Sequence, residues 1–183
     1  MSLRRSLVEA HGLLITVALL ALWPTRSALG ADPQSAFNRP LAAFDASAAE
    51  RAKAGAARWL QDSECLKVLT EFTDDEGRTL DRNLEAWGMS ADEYVLTLSF
   101  RDGAAIPRCR DERIELVTVR GLPQVYVCPG GVGAPYSRFA RTQIQTPAFA
   151  EAMVIHEMLH TLGLGENPPS SFEITERVRA RCR

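Results

Sequence analysis

The pentapeptide His156-Glu157-Met158-Leu159-His160 constrains the fold of this chain more than any other feature. Residues four apart on an α-helix share one face, so a helix here would point the imidazoles of His156 and His160 in the same direction. Two imidazoles in this arrangement are typical ligands of a tetrahedral zinc ion. The spacing therefore predicts a metal-binding helix that faces a cleft.

The residues around the pentapeptide favour a helix with one buried side. Apolar side chains on the side opposite to the histidines would pack against a core. They are Val154, Ile155, Met158, Leu159 and Leu162. The alternative is an ordinary helix whose histidines are surface or core residues. We favour the metal-binding helix because an acidic residue follows where a third ligand is required.

Glu166 is the favoured third ligand. A catalytic zinc ion usually takes three protein ligands and keeps one position for water. Since no third histidine remains after the predicted export signal described below, the third ligand should be a carboxylate or solvent. Glu166 follows His160 by six residues. The intervening Gly163 and Gly165 allow the chain to turn back over the metal.

Two other glutamates are alternatives for the third ligand. Glu173 and Glu176 lie on the predicted last helix, which follows the motif after a short interval. Glu173 equally fits a capping role, because it stands three residues after Ser170. Glu176 equally fits a solvated helix face.

The segment from His156 to Glu166 resembles the extended motif of metzincin-type zinc metallopeptidases, HExxHxxGxx followed by histidine or aspartate. The match covers eleven residues, with Glu166 at the last ligand position and no methionine after Met158 to form the Met-turn of that family. We therefore assign the broader zincin group. The resemblance implies a zincin-like catalytic domain and a cleft beneath an edge strand, along which a peptide would lie extended.

The resemblance and the chemistry of zinc together imply a hydrolase that cleaves peptide bonds in peptides or proteins. Glu157 is the expected general base. Tyr136 and Tyr126 are the candidate oxyanion stabilisers, because no histidine is left for that role. The alternative from another class is a zinc-binding module of zincin fold with an interaction or structural role and little or no turnover.

The N-terminus is typical of a bacterial-type export signal. Arg4 and Arg5 precede an apolar run over residues 13–22, and Ala28-Leu29-Gly30 forms a small-x-small cleavage site. The run is shorter than the about 20 apolar residues that a membrane-spanning helix requires. We predict that residues 1–30 are a signal peptide and that the mature chain is secreted or periplasmic, without a stable membrane span.

The charge balance excludes some partners. Residues 1–30 contain three arginines and one glutamate, so their removal would change the formal net charge from −2 to −4. A negative chain is a poor match for nucleic acid or an anionic membrane. The remaining length of about 150 residues suits one domain. We expect a flexible lead-in over residues 31–45 and the catalytic domain over residues 46–183, in an oligomeric state that the sequence leaves open.

All four cysteines lie after residue 30. An even number in an oxidising compartment suggests two disulfides, for which three pairings exist. We favour Cys109 with Cys128, which flank a predicted β-hairpin, and Cys65 with Cys182, which would tie the first helix to the last. A cysteine-ligated zinc site is the alternative, but the chain contains no CxxC spacing.

The predicted fold class is α+β, with a small, mainly antiparallel sheet packed against helices. Residues 94–100, 114–119 and 124–128 are rich in β-branched and aromatic residues and predict strands. Residues 46–72 predict one helix, or two that break near Asp62. Another helix should begin at the acidic stretch 73–76 and close at Gly88.

Caps delimit the last two predicted helices. Pro147 suits the first turn of the motif helix, and Gly163 suits its C-terminal end. The capping-box spacing from Ser170 to Glu173 predicts a final helix that runs through Arg181.

Overall fold

The computed structural model describes residues 38–182. In this part of the chain, helices precede and follow a small sheet. The first helices are α1 (Ala43–Trp59), α2 (Ser63–Leu66), α3 (Val68–Glu71), α4 (Leu80–Glu85) and α5 (Ala91–Thr97). Strand β1 (Ser99–Asp102), a 3-10 helix (Pro107–Arg110), β2 (Leu116–Thr118) and β3 (Gln124–Val127) follow. The last helices are α6 (Arg138–Gln145), α7 (Pro147–Thr161) and α8 (Ser171–Arg181).

The predicted signal peptide and the start of the lead-in lie outside the described residues. Helix α1 begins at Ala43, so the last residues of the predicted lead-in are helical. The predicted break near Asp62 is confirmed, since α2 begins directly after that residue and Asp62 caps it by accepting the Glu64 amide. Within the described residues, no helix has the length and apolar character needed to cross a membrane.

The three-stranded sheet is mixed, which corrects the prediction of a mainly antiparallel sheet. Its order is β1-β3-β2, with β1 parallel to β3 and β2 antiparallel to β3. The chain leaves β1 through the 3-10 helix and returns on the far side of β3, so only β2 and β3 form a hairpin. This path makes β2 an edge strand beside the motif helix.

The prediction of a strand over residues 94–100 is wrong for its first part, because residues 94–97 belong to α5. Ser90 and Glu93 form a capping box at the start of that helix, with the Ser90 amide 2.9 Å from a Glu93 carboxylate oxygen. Tyr94 is fully buried, and its hydroxyl lies 3.1 Å from the hydroxyl of Thr161. The cap and this burial outweigh the strand propensity of the aromatic and β-branched residues.

The acidic stretch 73–76 forms a turn and does not open a helix as predicted; α4 begins only at Leu80. Asp74 explains the difference, because its carboxylate accepts the backbone amides of Glu76 and Arg78, each at 2.9 Å. A short acidic side chain that bonds its own backbone in this way favours a turn over a helix. The turn is closed by a bridge between Thr73 and Thr79.

Helix α7 lies at the centre of the core, which confirms the predicted motif helix. Pro147 occupies its first turn, and Gly163 follows its end with a φ of 112°. The apolar residues predicted on the side opposite to the histidines are at most 3% exposed. Burial of this many large side chains, at about 1.5–3 kcal/mol each, fixes the orientation of the helix.

The fold contains two disulfides, in the pairing that the sequence favours. Cys65 on α2 bonds Cys182 directly after α8, and Cys109 on the 3-10 helix bonds Cys128 directly after β3. The first of these ties the last helix to the short α2 and not, as predicted, to the first helix.

Helix α8 has the predicted bounds and capping box. The Ser170 hydroxyl accepts the Glu173 amide, and the Glu173 carboxylate accepts the Ser170 amide at 2.8 Å. Near its other end, Arg181 donates to the Glu71 carboxylate at 2.7 Å. The cap, this ion pair and the disulfide at Cys182 fix α8 at both ends.

Candidate metal centre

His156, His160 and Glu166 bring three ligand atoms together. The two histidine Nε2 atoms are 3.1 Å apart. Glu166 Oε1 lies 3.4 Å from Nε2 of His160 and 3.8 Å from Nε2 of His156. These three residues form the one such group in the described part of the chain, and they can hold a metal ion.

The donor set and its spacing fit a tetrahedral zinc ion. Zinc bonds of about 2.0–2.1 Å place neighbouring ligand atoms about 3.3 Å apart in a tetrahedron. The three observed separations, from 3.1 to 3.8 Å, bracket that value. Two imidazoles and one carboxylate are also ligands that zinc takes in catalytic sites.

The outer ring nitrogens of both histidines have hydrogen-bond partners. His160 Nδ1 lies 2.8 Å from the Leu164 carbonyl oxygen, and His156 Nδ1 lies 2.9 Å from the Thr175 hydroxyl. A carbonyl oxygen only accepts, so Nδ1 of His160 carries the hydrogen, and Nε2 of the neutral ring presents its lone pair to the metal position. Partners of this kind orient metal-binding histidines.

The turn after α7 places Glu166 beside the two histidines. Gly163 leaves the helix with positive φ, and the Leu164 amide donates to the Leu159 carbonyl at 3.1 Å. An added Cβ at Gly163 would stand 3.2 Å from Cβ of Asp74, so glycine also allows the close approach of the acidic turn. Glycine is therefore required there for its conformation, and its small size eases the contact with Asp74.

The acidic turn anchors the segment that carries Glu166. Asp74 forms a β-bridge with Leu164, and the Asn83 amide donates to both the Asp74 carboxylate at 2.9 Å and the Leu162 carbonyl at 2.8 Å. The hydrogen bond from Asn83 is the largest factor that lowers the pKa of Asp74 to about 2. The anchor is thus an ionised carboxylate at neutral pH.

Glu166 is an ionised carboxylate as well. The nearby ring of His156 favours the charged carboxylate by more than burial opposes it, and His160 and Arg108 add to this effect, so the pKa of Glu166 is lowered to about 2. Its other oxygen lies 3.4 Å from the guanidinium of Arg108 on the 3-10 helix. The carboxylate is thus already in the charged form that metal ligation requires.

Glu157 lies beside the ligand group but is not part of it. Its side chain is buried, and the hydroxyl of Thr118 on β2 donates to its Oε2 atom. This hydrogen bond leaves Oε1 for a second partner. Glu157, His156 and His160 line the same cleft.

The cleft has a volume of about 520 Å³ and runs along edge strand β2. It is lined by the segment from Ile114 to Thr118 and by the face of α7 that carries His156 and His160. Other residues that line it are Arg108, Arg113, Arg120, Phe149, Met153 and Thr175. A cleft next to a strand edge is a place where an extended chain can bind.

The structure places the alternative ligands outside the group. Glu173 caps its own helix through Ser170, and Glu176 pairs with Arg179 at 2.7 Å on the exposed side of α8. Both therefore have the helix-surface roles that the sequence left open for them.

Neither predicted oxyanion stabiliser lines the cleft. Tyr126 is buried next to the Cys109–Cys128 disulfide, and Tyr136 packs against Phe44 with ring centroids 5.0 Å apart. The first lies in the central strand, on the face that does not meet α7. Packing, the ordinary role of a tyrosine in or near a sheet, accounts for both.

Sequence reasoning missed three side chains that contact the site: Thr118, Thr175 and Arg108. Each reaches the site from a different element, and none stands in a recognisable spacing to the motif. Only Thr118 carried a signal, since it lies in a predicted strand of a fold whose edge strand was expected at the cleft.

Comparison with models of known protein families, with curated proteins and with solved structures finds no match for this chain.

Proposed function

We propose that this chain is an exported zinc-dependent metallopeptidase of the zincin type. The observation that carries the proposal is that three convergent ligand atoms and Glu157 face one cleft along an edge strand. The two disulfides and the export-like N-terminus support a location outside the cytoplasm.

The residues divide the chemistry between them. When bound by His156, His160 and Glu166, zinc would supply a Lewis acid that activates water and polarises a scissile carbonyl. Glu157 takes the proton from the attacking water and then donates it to the leaving amine. Thr118 holds one carboxylate oxygen of Glu157, so the other faces the reacting water in a fixed direction.

The substrate that fits best is an extended peptide paired with β2. The Glu115 carbonyl accepts the Cys128 amide of the neighbouring hairpin strand at 2.9 Å. Because backbone groups alternate along an antiparallel pair, those of Leu116 and Thr118 point away from β3. A peptide can add to such an edge by main-chain hydrogen bonds, which is a general mode of peptide recognition.

The direct test is hydrolysis of a mixed peptide library by purified mature protein that contains one zinc ion. We expect cleavage products by mass spectrometry, complete loss of activity with a chelator, and recovery when one equivalent of zinc is returned. Folded, zinc-loaded protein that leaves every peptide intact would contradict the peptidase and favour a zinc-binding interaction module.

Replacing Glu166 with alanine should weaken zinc binding by more than the about 10- to 100-fold that follows the loss of a partner outside the ligand set. The reason is that a ligand is removed from a three-ligand site. The measurement is a zinc competition titration. Glu176→Ala is the matched control and should bind zinc like the wild type; unchanged affinity of the Glu166 variant would remove it from the ligand set.

A further inference from the structure

We propose that Thr175 is the positioning residue that fixes His156 as a metal ligand. The inference rests on the proposed zinc site and concerns its first histidine. Thr175 Oγ1 lies 2.9 Å from Nδ1 of His156, across a sequence separation of 19 residues. A helix separate from the motif therefore sets the orientation of this ring.

The two histidines are supported in different ways. His160 bonds a main-chain carbonyl, that of Leu164, which the turn after α7 provides whatever side chain stands there. His156 bonds a side chain, so its support depends on the identity of the residue at position 175. Thr175 is thus the one side-chain partner of an outer ring nitrogen in the described metal site.

A hydroxyl suits His156 because it can both donate and accept. A neutral imidazole can carry its hydrogen on either ring nitrogen, and when the hydrogen is on Nε2 the Thr175 hydroxyl donates to Nδ1. When His156 binds a metal ion through Nε2, that nitrogen must carry no hydrogen. The ring hydrogen is then on Nδ1, which donates to the Thr175 hydroxyl.

The two forms of the ring differ only in which nitrogen carries the hydrogen. The ring keeps its hydrogen bond to Thr175 in both. A carbonyl or a carboxylate in the same place would accept only, and would match just one of the forms. Thr175 can therefore hold the ring in place before and after a metal ion arrives.

The position of Thr175 is itself well fixed. Its neighbours Ile174 and Val178 are fully buried on α8. The capping box at Ser170 holds the start of this helix, and the disulfide at Cys182 holds its end. The hydroxyl is therefore presented to His156 from a rigid element, as an orienting residue requires.

The experiment compares the zinc dissociation constants of Thr175→Val, Thr175→Ser and the wild type, measured by competition titration at one pH. Valine keeps the shape and removes the hydroxyl, so we expect binding that is about 10- to 100-fold weaker. Serine keeps the hydroxyl and should restore affinity to within a few-fold of wild type. Thr70→Val, at an exposed threonine that does not line the cleft, is the matched control and should bind zinc normally.

The melting temperature of the metal-free proteins separates positioning from folding. A positioning role predicts that valine lowers zinc affinity far more than it lowers the metal-free melting temperature. A valine variant with wild-type affinity overturns the inference, and so does a serine variant as weak as valine. Wild-type protein that binds no zinc would overturn the proposed metal site as well. If the zinc affinities are as expected but peptides stay intact, only the proposed peptidase activity is contradicted.

Discussion

Replacing Glu157 with glutamine should lower the rate of peptide hydrolysis by about 100- to 10,000-fold, the usual contribution of a general base. Glutamine has nearly the same shape and can still accept the Thr118 hydroxyl, but it cannot take a proton from water. Because Glu157 is outside the ligand group, zinc content should stay at the wild-type level. Steady-state kinetics and elemental analysis of the same preparation check both statements.

Glu151 provides the matched control for this substitution. It lies on the same helix, is partly buried, and is absent from the residues that line the cleft. Burial raises the pKa of Glu151, so glutamine should be tolerated there and full activity retained. Undiminished hydrolysis by Glu157→Gln, with zinc bound, would show that another group takes the proton.

Removing the Cys65–Cys182 disulfide by serine substitution at both positions should lower the free energy of unfolding by about 2–5 kcal/mol. The bond closes a loop with a sequence separation of 117 residues, so its loss greatly increases the freedom of the unfolded chain. Urea unfolding of the oxidised wild type and the double variant, both metal-free, measures the difference.

The second disulfide is the internal control. Cys109 and Cys128 are separated by 19 residues, so the loop-entropy relation predicts a loss about 1.6 kcal/mol smaller. Equal losses from the two double variants would mean that loop length does not govern the stabilisation and that local packing around the sulfur atoms does.

Features determined by neighbouring residues could be predicted from the sequence. The bounds of α7 follow from Pro147, Gly163 and a buried apolar side, and α8 follows from its capping box. Where two local signals favour different secondary structures, the sequence does not show which of them prevails. At residues 94–97 the cap of α5 prevails over strand propensity, and at Asp74 a side-chain-closed turn prevails over a helix start.

The candidate site likewise contains residues that could be predicted from the sequence and residues that could not. His156, His160 and Glu166 lie within eleven residues, and helix periodicity with a glycine turn is enough to bring them together. Thr118 and Thr175 contact that group from β2 and α8, so their roles depend on how separate elements pack. The parallel pairing of β1 with β3 escaped prediction for the same reason, since it joins strands that are not consecutive in the chain.

The carboxylate of Asp74 stabilises the segment that carries Glu166 at mildly acidic pH as well as at neutral pH. Its pKa is lowered from 3.8 to about 2, chiefly by the hydrogen bond from Asn83. A group whose pKa is lower in the folded state contributes its full stabilisation above the unfolded value and loses it only as the pH falls through the folded value. The turn that carries Glu166 therefore keeps its anchor at every pH above about 4, and mildly acidic conditions leave this part of the molecule assembled.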